Sequence, residues 1–167
     1  MAYAGIDTTA DEKRMLTGWL DFHRATLERK AEGLDPEQMK RQSVPPSNLT
    51  MLGLVRHLAD VERHWFQRVL QGERIKPLYW SKDIPDADFT DLADADPSAD
   101  LAAWYAEVEK SRQIVADIAD LNTLAEYPKL DGPTSLRWIL VHLIEEYARH
   151  NGHADLLREA IDGKTGL

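Results

Sequence analysis

Apolar residues recur at every third or fourth position in four long stretches of this 167-residue chain. That spacing puts them on one face of an α-helix, so each stretch predicts an amphipathic helix whose apolar face is buried. The predicted helices cover residues 10–31, 48–71, 98–121 and 134–161. We therefore expect an all-α fold, a four-helix bundle formed by a single domain over residues 1–167.

Breakers and capping residues mark the ends of the predicted helices. Ser47 or Asn48 is placed to cap the second helix, and Gly72 follows it. The Asp-Gly-Pro sequence at 131–133 separates the third helix from the fourth. The inner face of the second helix is predicted to contain Leu54, His57, Val61, Trp65 and Arg68.

The connection between the second and third predicted helices, residues 72–97, is long, acidic and rich in proline. Connections of this length are uncommon in compact domains and usually have a function or cross a face of the fold. At about 3.3 Å per residue it can span a whole helix, so the second and third helices need not be antiparallel. Its Leu78, Tyr79 and Trp80 either pack over one end of the bundle or anchor a mobile surface loop.

Two polar residues interrupt the apolar face of the fourth predicted helix. That face contains Ile139, Leu143, Glu146, His150, Ala154, Leu157 and Ile161. Burying an unpaired carboxylate costs on the order of several kcal/mol, so Glu146 needs a partner. His150 lies one turn away on the same face, and His57 lies on the apolar face of the second helix. Either a metal ion bridges these three side chains, or they form a buried ion pair beside an ordinary core histidine.

Two imidazoles and one carboxylate match zinc sites that keep a fourth position for water or substrate. The same ligands also suit nickel or iron(II). A zinc ion with one carboxylate keeps a single net positive charge, which lowers the pKa of a bound water or thiol. Asp60 and Glu62 are candidate acceptors for the second ring N–H of His57. His153 is a candidate fourth ligand or a hydrogen-bond partner of a ligand.

Other polar residues near the predicted site have simpler interpretations. We expect His64 and His142 to pack in the bundle or at its surface. Arg149 either pairs with Glu145, four residues before it, or binds a carboxylate of the substrate.

Composition narrows the possible functions. The chain has no cysteine, which excludes disulfides, thiolate ligands and a cysteine nucleophile, so thiol chemistry requires a thiol from a ligand. The net charge of −9, without a basic stripe, argues against nucleic-acid binding. No apolar run approaches the roughly 20 residues that span a bilayer, and the first residues do not resemble a secretion signal. We therefore expect a cytoplasmic protein.

Two local motifs resemble the DinB-like superfamily, which includes mycothiol-dependent maleylpyruvate isomerase and related thiol transferases. They are LVRHLADVE at 54–62 and EEYARHNGHADLLR at 145–158. The resemblance implies metal ligands at His57, Glu146 and His150. Glutamate at position 146, where many DinB-like proteins carry histidine, is similar to the mycothiol-dependent branch. His153 departs from the glutamine found in many relatives.

The resemblance implies a divalent-metal-dependent S-transferase or isomerase that uses a low-molecular-weight thiol such as mycothiol and a small electrophilic substrate. A metal-dependent hydrolase is one alternative, and it predicts turnover of an ester or amide without added thiol. A non-catalytic metal-binding or small-molecule-binding module is another, and it predicts a closed coordination sphere. The resemblance is also compatible with a homodimer, although the sequence does not indicate the interface.

Overall fold

The computed structural model describes residues 6–127 and 132–166. In chain order its helices are α1 (Glu12–Ala31), α2 (Pro36–Lys40), α3 (Met51–Glu62) continued by a π-helical segment (Arg63–Leu70), α4 (Ala87–Thr90), α5 (Pro97–Asp117) and α6 (Leu136–Asp162). Leu124 and Ser135 form an isolated bridge, and no described residue belongs to a β-strand. The predicted all-α class is therefore confirmed. None of the described helices is long and apolar enough to cross a bilayer.

The start of α3 differs from the sequence prediction. The Thr50 hydroxyl accepts a hydrogen bond of 3.0 Å from the backbone N–H of Gly53, so Thr50 caps the helix. The predicted caps Ser47 and Asn48 lie before this position, and that prediction is wrong. Threonine is also among the preferred cap residues, although it ranks below serine and asparagine, so sequence alone favoured the wrong positions.

The last two long helices begin and end close to the predicted positions. Asp96 caps α5, which ends at Asp117 rather than at 121 because Ile118 already has an extended backbone. Ser135 caps α6, and Gly163, with φ of +77°, ends it in the left-handed conformation that glycine favours. Of the predicted breaker at 131–133, position 131 lies outside the described residues.

Side-chain pairs show that α3 and α5 run parallel. Arg56 lies 3.5 Å from Asp100, and farther along both helices Arg63 lies 2.7 Å from Glu107. Parallel neighbours need a connection that returns along the first helix, which the long connection at 72–97 provides. The sequence expectation that these helices need not be antiparallel is confirmed.

The long connection packs against the side of α3. The carboxylate of Asp60 accepts hydrogen bonds from the backbone N–H groups of Leu78, at 2.6 Å, and Tyr79, at 3.0 Å. The guanidinium of Arg56 lies 4.2 Å above the Tyr79 ring. The expectation that residues 78–80 pack over one end of the bundle therefore needs correction, because Leu78 and Tyr79 are anchored along the helix, and Tyr79 is an aromatic anchor of the connection.

Each of the four long helical elements contributes one side chain to a buried hydrogen-bond network. Arg24 of α1 donates two hydrogen bonds of 2.8 Å to the two oxygens of Glu62, at the end of α3. The Tyr147 hydroxyl of α6 donates to Glu62 at 2.8 Å, and Trp104 of α5 donates to that hydroxyl at 2.9 Å. Glu62 and Tyr147 are completely buried. The network therefore ties all four elements together inside the core.

The π-helical segment changes which side chains point inward. Arg68, predicted on the inner face, is only half-buried, whereas its neighbour Gln67 is buried and donates a hydrogen bond to Glu107. A π-helix has more residues per turn than an α-helix. The three-to-four spacing used for the prediction therefore goes out of phase after Glu62.

Candidate metal centre

Three side chains from α3 and α6 converge at one point. His57, Glu146 and His150 each offer an atom, and these atoms all lie within 4.8 Å of one another. Oε2 of Glu146 lies 3.4 Å from Nε2 of His150 and 3.9 Å from Nε2 of His57. The structure thus brings together the three residues that the sequence analysis selected as candidate ligands.

The three side chains differ in their access to solvent. The Glu146 and His150 side chains are 12% and 10% exposed, whereas the His57 side chain is 26% exposed. The centre therefore lies at the edge of the helix packing, and His57 is its most exposed side chain.

Asp88 of α4 contacts the other ring nitrogen of His57. Its Oδ2 lies 2.8 Å from Nδ1 of His57, and the Asp88 side chain is 6% exposed. The Phe89 ring lies beside the His57 ring, with centroids 5.0 Å apart and an interplanar angle of 31°. The imidazole is thus held by a hydrogen bond at one nitrogen and by ring packing on one side.

The acceptor for His57 was assigned incorrectly from the sequence. Asp60 binds the long connection and Glu62 belongs to the buried network, so neither serves His57. Asp88 is in an acidic, aperiodic stretch, and nothing in the sequence distinguishes it from Asp86 or Asp91. The missing information is the packing of α4 on α3, which only the folded chain provides.

Arg149 binds Oε1, the other carboxylate oxygen of Glu146. Its Nη2 donates a hydrogen bond of 2.6 Å to Oε1 of Glu146, and its Nε lies 3.7 Å from Glu145. Arg149 is thus part of an ion pair, as one of the two sequence interpretations held. Oε2 is the oxygen that faces the two imidazoles.

His153 lies behind His150. Its Nδ1 is 3.3 Å from Nδ1 of His150, so a hydrogen bond between the rings requires one of the two nitrogens to carry a proton. His153 is not among the three residues whose ligand atoms converge. This placement fits a hydrogen-bond partner of His150 better than a fourth ligand.

The remaining two histidines considered near the site pack against tryptophans. The His142 ring stacks on Trp138 at a centroid distance of 4.9 Å and contacts Trp65 at 4.7 Å. The His64 ring contacts Trp65 edge-on at 5.5 Å. These contacts agree with the packing roles expected from the sequence.

A second group that could hold a cation consists of His142, Glu145 and Glu146. It shares Glu146 with the first group, and Arg149 already pairs with both carboxylates. The Glu145 side chain is also 55% exposed. The group with His57 and His150 is therefore the better candidate.

Neighbouring charges shift the pKa values of two of the converging residues. The imidazoles of His150 and His57, helped by Arg149, hold the pKa of Glu146 well below its usual range despite burial. Burial lowers the pKa of His57, but Asp88 and Glu146 outweigh it and raise that pKa to about 9. At neutral pH the metal-free centre therefore contains a carboxylate beside a protonated His57.

The spacing between Glu146 and His150 fits two ligands of a shared divalent cation. Direct N–H···O hydrogen bonds measure about 2.7–3.2 Å, and both contacts of Oε2, at 3.4 and 3.9 Å, are longer. Ligands bound tetrahedrally to zinc at about 2.0–2.1 Å lie about 3.3–3.4 Å from each other. The Glu146–His150 spacing matches this value, whereas the Glu146–His57 spacing of 3.9 Å is longer.

Comparison with known proteins identifies a family and solved structures of similar fold. The family model described as mycothiol-S-transferase matches residues 15–163. A crystal structure of a conserved protein from Enterococcus faecalis superposes with a TM-score of 0.64 at 16% sequence identity, covering 93% of this chain and 100% of that one. At that identity the superposition shows a shared fold and no more. No curated protein matches the sequence with significance.

Proposed function

The chain belongs to the mycothiol-S-transferase family, a DinB-like family, and on this premise we propose that it is a divalent-metal-dependent S-transferase. Its thiol substrate would be mycothiol or a related low-molecular-weight thiol, and its second substrate a small electrophile. The observation that carries the proposal is the convergence of His57, Glu146 and His150, of which the His57 side chain is 26% exposed.

The residues that would hold the ion are defined by their donor atoms. Nε2 of His57, Oε2 of Glu146 and Nε2 of His150 point toward one another. Zinc is the first expectation, and nickel or iron(II) suits the same ligands. When bound, a divalent cation would supply the positive charge that keeps a thiol in its reactive thiolate form at neutral pH.

The surrounding residues support this chemistry in separate ways. Asp88 holds the His57 ring, and Arg149 binds one oxygen of Glu146, which leaves a single oxygen toward the centre. We expect the two substrates to approach the centre from the partly exposed His57. Because the chain has no cysteine, no internal thiol competes with the substrate thiol.

The proposed transfer forms one bond between sulfur and carbon. The thiol proton leaves to solvent, the thiolate attacks the electrophilic carbon, and the leaving group departs with its electron pair. In an isomerisation the thiolate would instead add to an unsaturated carbon and leave again after bond rotation. Both reactions need the same thiolate, so they share the ligand requirement.

The alternatives use the same three ligands but differ in what they require. A hydrolase would turn over an ester or amide without thiol, and a binding module would turn over neither. The position of His153 behind His150 disfavours a closed coordination sphere with four protein ligands. A cytoplasmic location, homodimer formation and the lack of nucleic-acid binding stay predictions.

The test combines metal analysis with a thiol-transfer assay on protein purified without a histidine tag. We expect about one bound metal ion per chain and conversion that requires both metal and thiol, with mycothiol compared against other small thiols. His150→Ala should reduce conversion at least about 100-fold, whereas the control His64→Ala should not. Unchanged conversion in His150→Ala, or folded protein that binds no metal, would refute the proposal. Ester hydrolysis without thiol would favour the hydrolase.

A further inference from the structure

We infer that Asp88, in the connection between α3 and α5, is the positioning residue that determines which nitrogen of His57 faces the candidate centre. The inference rests on the proposed metal site and is independent of thiol transfer. Asp88 lies outside the two helices that carry the candidate ligands, so α4 would have the function of positioning His57.

The hydrogen bond between Asp88 and His57 has a defined direction. An ionised carboxylate can only accept, so the 2.8 Å contact of Asp88 Oδ2 requires that Nδ1 of His57 carries the proton. The neutral ring then has its lone pair on Nε2, the nitrogen 3.9 Å from Glu146 Oε2. Histidines that bind metals usually donate their other ring N–H in this way.

The Asp88 carboxylate is buried beside His57. Its side chain is 6% exposed, and its Oδ1 accepts no hydrogen bond from the described residues. Burying a carboxylate is costly unless a partner offsets the loss of water. His57 is the hydrogen-bonding partner of Asp88 in the described part of the chain, so the position of this carboxylate is explained by the imidazole.

Helix α4 packs closely on α3. Gly53 lies one turn before His57, and a Cβ atom there would come within 2.9 Å of Phe89 Cδ1 and 3.4 Å of Phe89 Cα. Glycine thus permits an approach that any other residue would hinder. Beyond α4, Arg56 donates a hydrogen bond of 2.5 Å to the backbone oxygen of Asp91. These contacts hold the backbone that carries Asp88.

A metal titration of the full chain tests the inference. Zn²⁺ affinity is measured against a competing chelator for wild type, Asp88→Asn and the control Asp86→Asn, which changes an exposed aspartate in the same connection. Loss of an outer carboxylate partner typically weakens binding about 10–100-fold. We expect that loss for Asp88→Asn and a change below about twofold for Asp86→Asn. Equal affinity of wild type and Asp88→Asn would overturn the inference while leaving the proposed function intact.

A second measurement needs no metal. Nitrogen-15 spectra of the imidazoles, recorded above pH 9 on metal-free protein, identify the nitrogen that carries the proton. We expect Nδ1–H on His57 in wild type and a shift toward Nε2–H in Asp88→Ala. A wild-type ring with Nε2–H, or the same tautomer in Asp88→Ala, would overturn the inference.

The Zn²⁺ titration and the nitrogen-15 spectra distinguish a failure of the proposed metal centre from a failure of the role inferred for Asp88. Wild-type protein that binds no Zn²⁺ refutes the proposed centre, and the spectra then decide the role of Asp88. If Asp88→Asn does not fold, as judged by its thermal unfolding, the wild-type spectrum and the Asp88→Ala variant still decide it.

Discussion

Two glutamates have different partners: Glu62 lies in the core, and Glu146 lies at the edge of the helix packing. Both oxygens of Glu62 are bound by Arg24 at 2.8 Å, and Tyr147 adds a third hydrogen bond. Glu146 directs one oxygen at two imidazoles that lie 3.4 and 3.9 Å away. Arg24 binds both oxygens of Glu62, whereas Arg149 binds only Oε1 of Glu146 and leaves Oε2 to the imidazoles, with room for an additional cation. Removing partners of the two glutamates should therefore have different consequences.

The largest effect on folding is expected at Glu62. Arg24→Met would leave a buried carboxylate without its cation, which lowers the free energy of unfolding by about 3–5 kcal/mol. Urea denaturation measures this loss. The control Arg112→Met removes an arginine that is 47% exposed and pairs with Asp21, so it should cost at most about 1 kcal/mol. Equal losses in the two variants would show that Glu62 does not depend on Arg24.

The opposite pattern is expected at Glu146. Glu146→Gln should weaken Zn²⁺ binding at least about 100-fold, equivalent to about 2.7 kcal/mol. The free energy of unfolding without metal should change by only about 1 kcal/mol, because the contacts of Glu146 are partly exposed. Chelator competition and urea denaturation measure the two quantities, with the exposed Glu145→Gln as control. If Glu146→Gln loses stability but keeps its Zn²⁺ affinity, Glu146 has a structural role like that of Glu62 and is not a metal ligand.

A smaller effect on stability is expected at Tyr147. Tyr147→Phe removes the hydroxyl that donates to Glu62 and accepts from Trp104. Leaving buried polar groups without a partner should lower the free energy of unfolding by about 1–2 kcal/mol. The control Tyr105→Phe removes a hydroxyl bound to Glu28 at the surface and should have almost no effect. A stability equal to wild type for Tyr147→Phe would mean that the network does not need this hydroxyl.

The smallest effect is expected in the pH dependence of the metal-free protein. The pKa of His57 is raised from 6.5 to about 9, so its protonated form stabilises the fold. That contribution is complete below about pH 6.5 and is lost as the pH rises through 9. The thermal midpoint of wild type should therefore fall over this interval relative to His57→Gln, by about 3 °C for about 1 kcal/mol. Parallel pH curves for the two proteins would contradict the raised pKa.

Much of the fold follows from local patterns in the sequence. The apolar spacing located the long helices because each amphipathic face is encoded within its own segment. The four-residue spacing of Glu146 and His150 also fixed their common face before any tertiary contact was known. His57 lies on a different helix, and its selection depended on its apolar surroundings and on the family resemblance.

The sequence did not predict features that depend on contacts between distant segments. Asp88 belongs to an aperiodic connection, and its partner His57 lies in another element. The pairing of Arg24 with Glu62 joins two helices whose individual patterns do not show which charged residue turns inward. The π-helical segment also altered the phase of its helix, which exchanged the expected environments of Gln67 and Arg68.

The buried network has a consequence for the direction of Glu146. Tyr147 follows Glu146 on α6, and successive residues of an α-helix point about 100° apart around the axis. The hydroxyl of Tyr147 is bonded to both Glu62 and Trp104, which sets the rotation of α6 about its own axis. Turning α6 by one residue would break those bonds and swing Glu146 away from His57. The buried network thus determines the direction in which the Glu146 carboxylate points, although Glu146 is not a member of the network.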